Sequence, residues 1–130
     1  MFGAVVTHGT DTLEETVYLL DLLHAGDKPV CVTGAMRSGT DVSYDGTVNL
    51  LDAVRVAAAP EARGKGVLMV LNDEIHAARE VTKTHSANVK TFESPFWGPL
   101  GYVDADRIVF RREQLGRQSL RPISWRTCTS

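Results

Sequence analysis

Three short apolar runs, each closed by a polar loop, constrain this chain more than any other feature. "GAVVTH" supplies a strand over Gly3 to Thr7, "PVCVTG" a second over Pro29 to Gly34, and "GVLMVLND" a third over Gly66 to Leu71. The β-branched residues of the second suit a sheet covered on both faces, and all three runs are too apolar to alternate. Between them lie two stretches of helical periodicity. In "DTLEETVYLLDLLHAG" Leu13, Val17, Leu20 and either Leu23 or His24 recur at helical spacing. Thr12 and Glu15 have the spacing of a capping box, and Gly26 is placed to close the helix. "DGTVNLLDAVRVAAA" ends before Pro60, with Val48, Leu51, Val54 and Ala58 expected on its inner face. The order β-α-β-α-β predicts an α/β fold of three layers, a mostly parallel sheet flanked by helices.

Beyond Asn72 the pattern fades. The polar stretch from Glu74 to Gly101 carries Ser-Pro and Gly-Pro breakers and reads mostly as loop with short elements. "YVDADRIVF" reads as two short strands joined by a turn at "DADR". Residues 1–112 are therefore expected to form one domain, and the basic segment 113–130 a poorly ordered tail.

Composition narrows the function. At 130 residues the chain is long enough to bury a core, and its net charge of -2 argues against a nucleic-acid or anionic-membrane surface. The tail arginines, with Trp125 available for stacking, do not amount to a nucleic-acid-binding motif. No apolar run approaches the roughly 20 residues needed to span a bilayer. The start, "MFGAVVTHG", lacks the basic region and apolar core of a signal peptide. It does not fix a compartment; a cytoplasmic one is the expectation. Cys31 lies in an apolar run and reads as a buried structural thiol, whereas Cys128 falls in the polar tail. His8, His24, His76 and His85 show no metal-ligand spacing, so no metal site is expected.

Polar residues gather after the C-terminal end of each strand: "HGTD", "GAMRSGTD" and "ND". In open parallel sheets that edge is where ligands bind. There Thr10 offers a hydroxyl and Asp11 a carboxylate. Lys83 in "REVTKTH" is the best candidate base for the hydroxyl. The same Thr and Asp residues also suit a helix cap. Asp41 and Asp45 read as turn and cap residues. Asn72 and Asp73 fit either a substrate contact or a strand-end turn.

The segment "GAVVTHGTDTLEETVYLLDLL" resembles the second signature of the bacterial-type L-asparaginase family. The resemblance continues through "KPVCVTGAMR", "DGTVNLLDAVRVAA", "GVLMVLNDEIHAAREVTKTH" and "TFESPFWGPLGYV", from about Phe2 to Phe110. It implies a fragment of the Rossmann-like N-terminal domain of a two-domain amidohydrolase that converts asparagine, and often glutamine, to the acid and ammonia. It implies no metal and no cofactor. Thr10, Asp11 and Lys83 match the family's second catalytic set, in which hydroxyl, carboxylate and amine form a proton-transfer group. The family's aspartate also contacts the substrate α-amino group. Gly9 matches a glycine that lets the substrate approach, and Ala35 lies in a segment that lines the pocket. The same signatures occur in an ammonia-releasing amidotransferase subunit. The family's "TGGTI"-type motif with its primary threonine, its loop tyrosine and its carboxylate-gripping serine do not occur in these 130 residues, nor does its smaller C-terminal domain. The expectation is weak or no turnover by the chain alone. The alternative is a non-catalytic remnant that binds amino acids or packs against a full-length asparaginase. The family also makes a homo-oligomer an expected state.

Overall fold

The computed structural model describes residues 2–84 and 89–114. His85, Cys128, Trp125 and all but the first two residues of the expected tail lie outside them.

The elements run β1 Ala4–Thr7, α1 Leu13–Leu23, β2 Val30–Thr33, α2 Gly46–Ala58, a 3-10 turn Pro60–Ala62 and β3 Val67–Leu71. Shorter strands follow: β4 Glu74–Ala77, β5 Thr82–Lys83, β6 Phe92–Glu93, β7 Gly101–Val103 and β8 Ile108–Phe110. Six strands form one sheet in the order β1-β2-β3-β4-β7-β8, while β5 and β6 pair separately. β1, β2 and β3 are parallel, and each later pairing is antiparallel. Four of the six strands (β1, β2, β3 and β7) therefore point the same way.

The strand β3, five residues buried without exception, divides the core by its alternation. Leu68 and Val70 join Cys31, Ala53, Val56 and Ala57 on the α2 face. Val67, Met69 and Leu71 join Leu13, Val17 and Val32 on the α1 face. The helices thus cover opposite faces, and the expected three layers are present. This placement has a topological consequence. The steps β1 to β2 and β2 to β3 advance in the same direction, yet cross over opposite faces. The two crossovers have opposite hands, so one is left-handed, against a preference of about 98%.

Several local expectations are corrected. The inner face of α2 is not Val48, Leu51, Val54 and Ala58: the first three are 53%, 58% and 48% exposed, and Ala58 also faces outward. Asn49, Asp52, Ala53, Val56 and Ala57 face the sheet instead. Small and hydrogen-bonding side chains let the helix lie close, and Asn49 and Asp52 displace aliphatics from the expected stripe. In α1, Leu13 and Val17 are buried and Leu20 is partly buried, but Leu23 is 48% exposed. Asp21 completes that inner face, its carboxylate accepting from the Val67 amide at 3.0 Å and from Arg79 Nε at 3.3 Å. Thr12 occupies the N-cap position without a side-chain capping bond, so the capping box does not form. The helix ends at an extended His24, whose ring bonds the Lys28 carbonyl at 2.7 Å, rather than on Gly26.

The region after Asn72 holds more sheet than its polarity suggests. Asn72 and Asp73 take φ of 53° and 60° and turn β3 directly into β4, a hairpin whose left-handed pair suits Asn and Asp. They are turn residues. The expected turn between β7 and β8 is present, with the Asp104 amide donating to the Arg107 carbonyl at 2.9 Å. Cys31 is fully buried, and burial pushes its thiol up to about 12. Among the described residues no helix is long and apolar enough to cross a membrane.

Candidate active site

The loops after β1 and β2 meet at the C-terminal edge of the parallel strands. The His8 amide donates to the Thr33 carbonyl at 2.9 Å, carrying the β1–β2 pairing one residue past the strand. Gly34 permits the approach: a Cβ there would stand 2.5 Å from the His8 carbonyl oxygen and 3.3 Å from the Thr10 methyl. The His8 ring bonds the Gly9 carbonyl at 2.6 Å through Nδ1 and the Thr16 hydroxyl at 3.1 Å through Nε2. The loop carrying Thr10 and Asp11 is thereby fastened to both β2 and α1.

Lys83 comes from a different part of the chain. It ends β5, opposite Phe92 of β6. Its Nζ donates to Thr10 Oγ1 at 3.4 Å and to Asp11 Oδ1 at 3.3 Å. The lysine side chain is 16% exposed, whereas the Asp11 side chain is fully exposed. Hydroxyl, amine and carboxylate therefore form one connected group across more than 70 residues of sequence, with the carboxylate open to solvent. A shielded amine between a hydroxyl and a carboxylate can relay a proton, and an exposed carboxylate can meet an incoming ammonium.

Gly9 and Ala35 lie beside this group. They line a cavity of about 350 Å³ with Thr7, Thr33, Tyr44 and Leu50. A Cβ at Gly9 would meet nothing within 4 Å, so space lies open in front of it. The structure brings the five sequence-predicted residues to one edge of the sheet, in two neighbouring sets: Thr10, Asp11 and Lys83 in hydrogen-bond contact, Gly9 and Ala35 at the cavity wall.

The sequence placed Asp45 as a cap residue and did not single out Asn49; the supporting contacts of both escaped it. Asp45 is the N-cap residue of α2, yet its carboxylate turns away to accept from the amides of Met36 and Arg37 at 3.0–3.1 Å and from Asn49 Nδ2 at 3.1 Å. Burial raises its pKa, but those amides outweigh it and hold the carboxyl below the usual value. Asn49 donates to the Gly34 carbonyl at 2.9 Å and accepts from the Asn72 amide at 3.1 Å, tying the cavity wall to the β3–β4 turn. Their signal was the "DGTVN" helix start, where an Asp and an Asn four residues apart share a face. Among the described residues no group of three His, Cys, Asp or Glu side chains could hold a metal ion.

Residues 1–116 match a family model described as "Asparaginase, N-terminal". L-asparaginase 2 of Bacillus subtilis is 56% identical over 111 residues, which are 85% of this chain and 29% of that protein. Glutaminase-asparaginase of Pseudomonas fluorescens is 55% identical over 101 residues, 78% of this chain and 28% of that one. The crystal structure of a probable cytoplasmic L-asparaginase from Campylobacter jejuni superposes with a TM-score of 0.86 at 48% identity, over 88% of this chain and 36% of that one. The chain thus spans about three-tenths of the length of the curated relatives it matches.

Proposed function

Because this chain belongs to the asparaginase family, we propose that it forms the proton-transfer half of an L-asparaginase-type active site, with Thr10, Lys83 and Asp11 as its working group. The observation that carries this reading is the contact of Lys83 Nζ with both Thr10 Oγ1 and Asp11 Oδ1. The reaction is hydrolysis of the asparagine side-chain amide, with glutamine as a second substrate. A C–O bond forms at the carbonyl carbon, the C–N bond breaks, and the nitrogen leaves as ammonia after gaining a proton. The route needs Lys83 as the neutral amine, with its lone pair turned to the Thr10 hydroxyl. Thr10 Oγ1 takes a proton from the attacking oxygen as its own passes to Nζ, which becomes the ammonium. The proton returns by the same route to the leaving nitrogen. Asp11 holds the lysine in place and faces the substrate α-ammonium. Gly9 and Ala35 shape the wall against which the substrate lies. No cofactor enters the scheme.

In this reading the 130-residue chain alone turns asparagine over slowly or not at all. Ammonia release is to be assayed on the purified chain, alone and with the remainder of the Bacillus subtilis relative supplied as a separate polypeptide. Release that appears on mixing and disappears in Lys83→Met supports the reading. Release that is unaffected by Lys83→Met overturns it.

A second reading rests on a different observation. Val48, Leu51 and Val54 leave an apolar stripe on the outer face of α2, and β1 is an edge strand. Such surfaces suit a chain that packs against a second copy of itself or a full-length asparaginase without catalysis. Co-elution with a full-length relative, with no gain in ammonia release, is the result that favours it.

A further inference from the structure

Thr10 and Asp11 lie in a loop fastened to β2 and α1, whereas Lys83 sits in one of the two shortest strands of the described fold. β5 and β6 have two residues each and pair only with one another. A pair that short is not stable alone, so something else sets the position of the amine. Part of the answer is apolar: Val81 and Phe92 pack into the core under α1. The other part is polar and lies at the end of β6. Ser94 Oγ bonds His76 Nδ1 at 2.8 Å, and His76 Nε2 bonds Glu74 Oε2 at 2.9 Å. His76 belongs to β4 of the main sheet, opposite Met69 of β3.

We propose that the Ser94–His76–Glu74 row is a clip that positions Lys83 by fixing the β5–β6 pair to the main sheet. The proposal rests on the role given to Lys83 above. His76 is 1% exposed and Ser94 6% exposed, so this serine has no room to meet a substrate carbonyl and works as a strut rather than a nucleophile. Burial pushes the imidazole down from its ordinary value, against the pull of Glu74 and Glu93 and with a smaller push from Arg112. A neutral ring has one donor and one acceptor. A Glu74 carboxylate can only accept, so Nε2 carries the hydrogen and Nδ1 accepts from the serine hydroxyl. The carboxylate thus sets the tautomer, the tautomer sets the serine, and the serine follows directly on β6.

The test reads Lys83 without turnover, so that failure of the asparaginase reading and failure of the clip are separate results. In the 130-residue chain, lysines are labelled by reductive methylation with carbon-13. The Lys83 signal is assigned by its loss in Lys83→Arg. Ser94→Ala removes one hydroxyl and is the gentlest variant; His76→Leu removes the ring, and His76→Gln keeps an acceptor and a donor. The expected result for Ser94→Ala is a displaced Lys83 signal. The Thr84 amide, which bonds the Thr91 carbonyl at 2.6 Å, should exchange about tenfold faster while β2 and β3 amides keep their protection. His76→Gln should lie between the parent and His76→Leu. An unchanged Lys83 signal and Thr84 exchange in folded Ser94→Ala overturns the proposal. So does exchange that accelerates equally across the whole sheet, which marks a purely structural role.

Discussion

Residues 2–71 and residues 72–114 build the same sheet by different means. The first region places four- and five-residue parallel strands between helices, and its core is apolar on both faces. The second adds antiparallel strands of three to four residues to that sheet and a separate two-residue pair, β5 and β6, held by a left-handed turn at Asn72–Asp73 and by side-chain clips. One clip is His76 between Glu74 and Ser94. Another is Arg112, which pairs with Glu80 and donates to the Gly98 carbonyl at 2.5 Å. The candidate site lies on the seam, with Thr10 and Asp11 from the first region and Lys83 from the second. The hydroxyl and carboxylate thus come from a loop between the parallel strand β1 and the helix α1, and the amine from a two-residue strand pair.

The largest expected effect breaks the first region outright. Leu68 is fully buried in β3, and Leu68→Ala should cost about 2–5 kcal/mol in urea denaturation, with loss of both regions together. If the second region survives, the two are independent and the comparison fails. Next is the seam. Asn49→Ala leaves the Gly34 carbonyl and the Asn72 amide without their partner and should cost about 1–3 kcal/mol.

A third test uses pH. Asp52 of α2 is 3% exposed, and its Oδ2 has no hydrogen-bond partner among the described residues. Burial, and then the Asp73 carboxyl nearby, raise its pKa from 3.8 to about 7. The folded protein thus keeps this proton to about pH 7, whereas the unfolded chain releases it near 3.8. Between those values the folded state binds more protons, so this group makes stability fall as pH rises towards 7, and level off above it. Asp52→Asn should remove that fall and raise stability at pH 8 by roughly 1–2 kcal/mol. The smallest effect belongs to Arg63–Asp27 on the surface, which spans 3.1 Å between exposed side chains. Arg63→Ala should not move the denaturation midpoint beyond the scatter of the measurement.

The same contrast explains what could be read in the sequence. The first region was legible because long apolar runs and helical periodicity both report burial. Its errors came where polar residues were buried: Asn49, Asp52 and Asp21 took inner positions that a hydrophobic stripe assigns to Val48, Leu51 or Leu23. β4 was passed over because "EIHA" carries its buried histidine on a hydrogen-bond row rather than in an apolar alternation. Asn72–Asp73 between two such segments was the hairpin signal. The candidate residues Thr10, Asp11 and Lys83 were legible through the family resemblance carried by "HGTDT" and "VTKT". Their convergence depends on a two-residue strand pair that no local pattern announces.

The central claim is that Thr10 and Lys83 act as one unit across the seam. It is tested most directly in a chimera in which these residues replace the matching 111-residue stretch of the Bacillus subtilis relative. Ammonia release from asparagine is measured for the chimera, Thr10→Val, Lys83→Met and the double variant. The account predicts that each single change lowers kcat by about 10²–10⁴-fold and that the double falls no further than the worse single. Full turnover in Lys83→Met, or losses that multiply in the double variant, would contradict it.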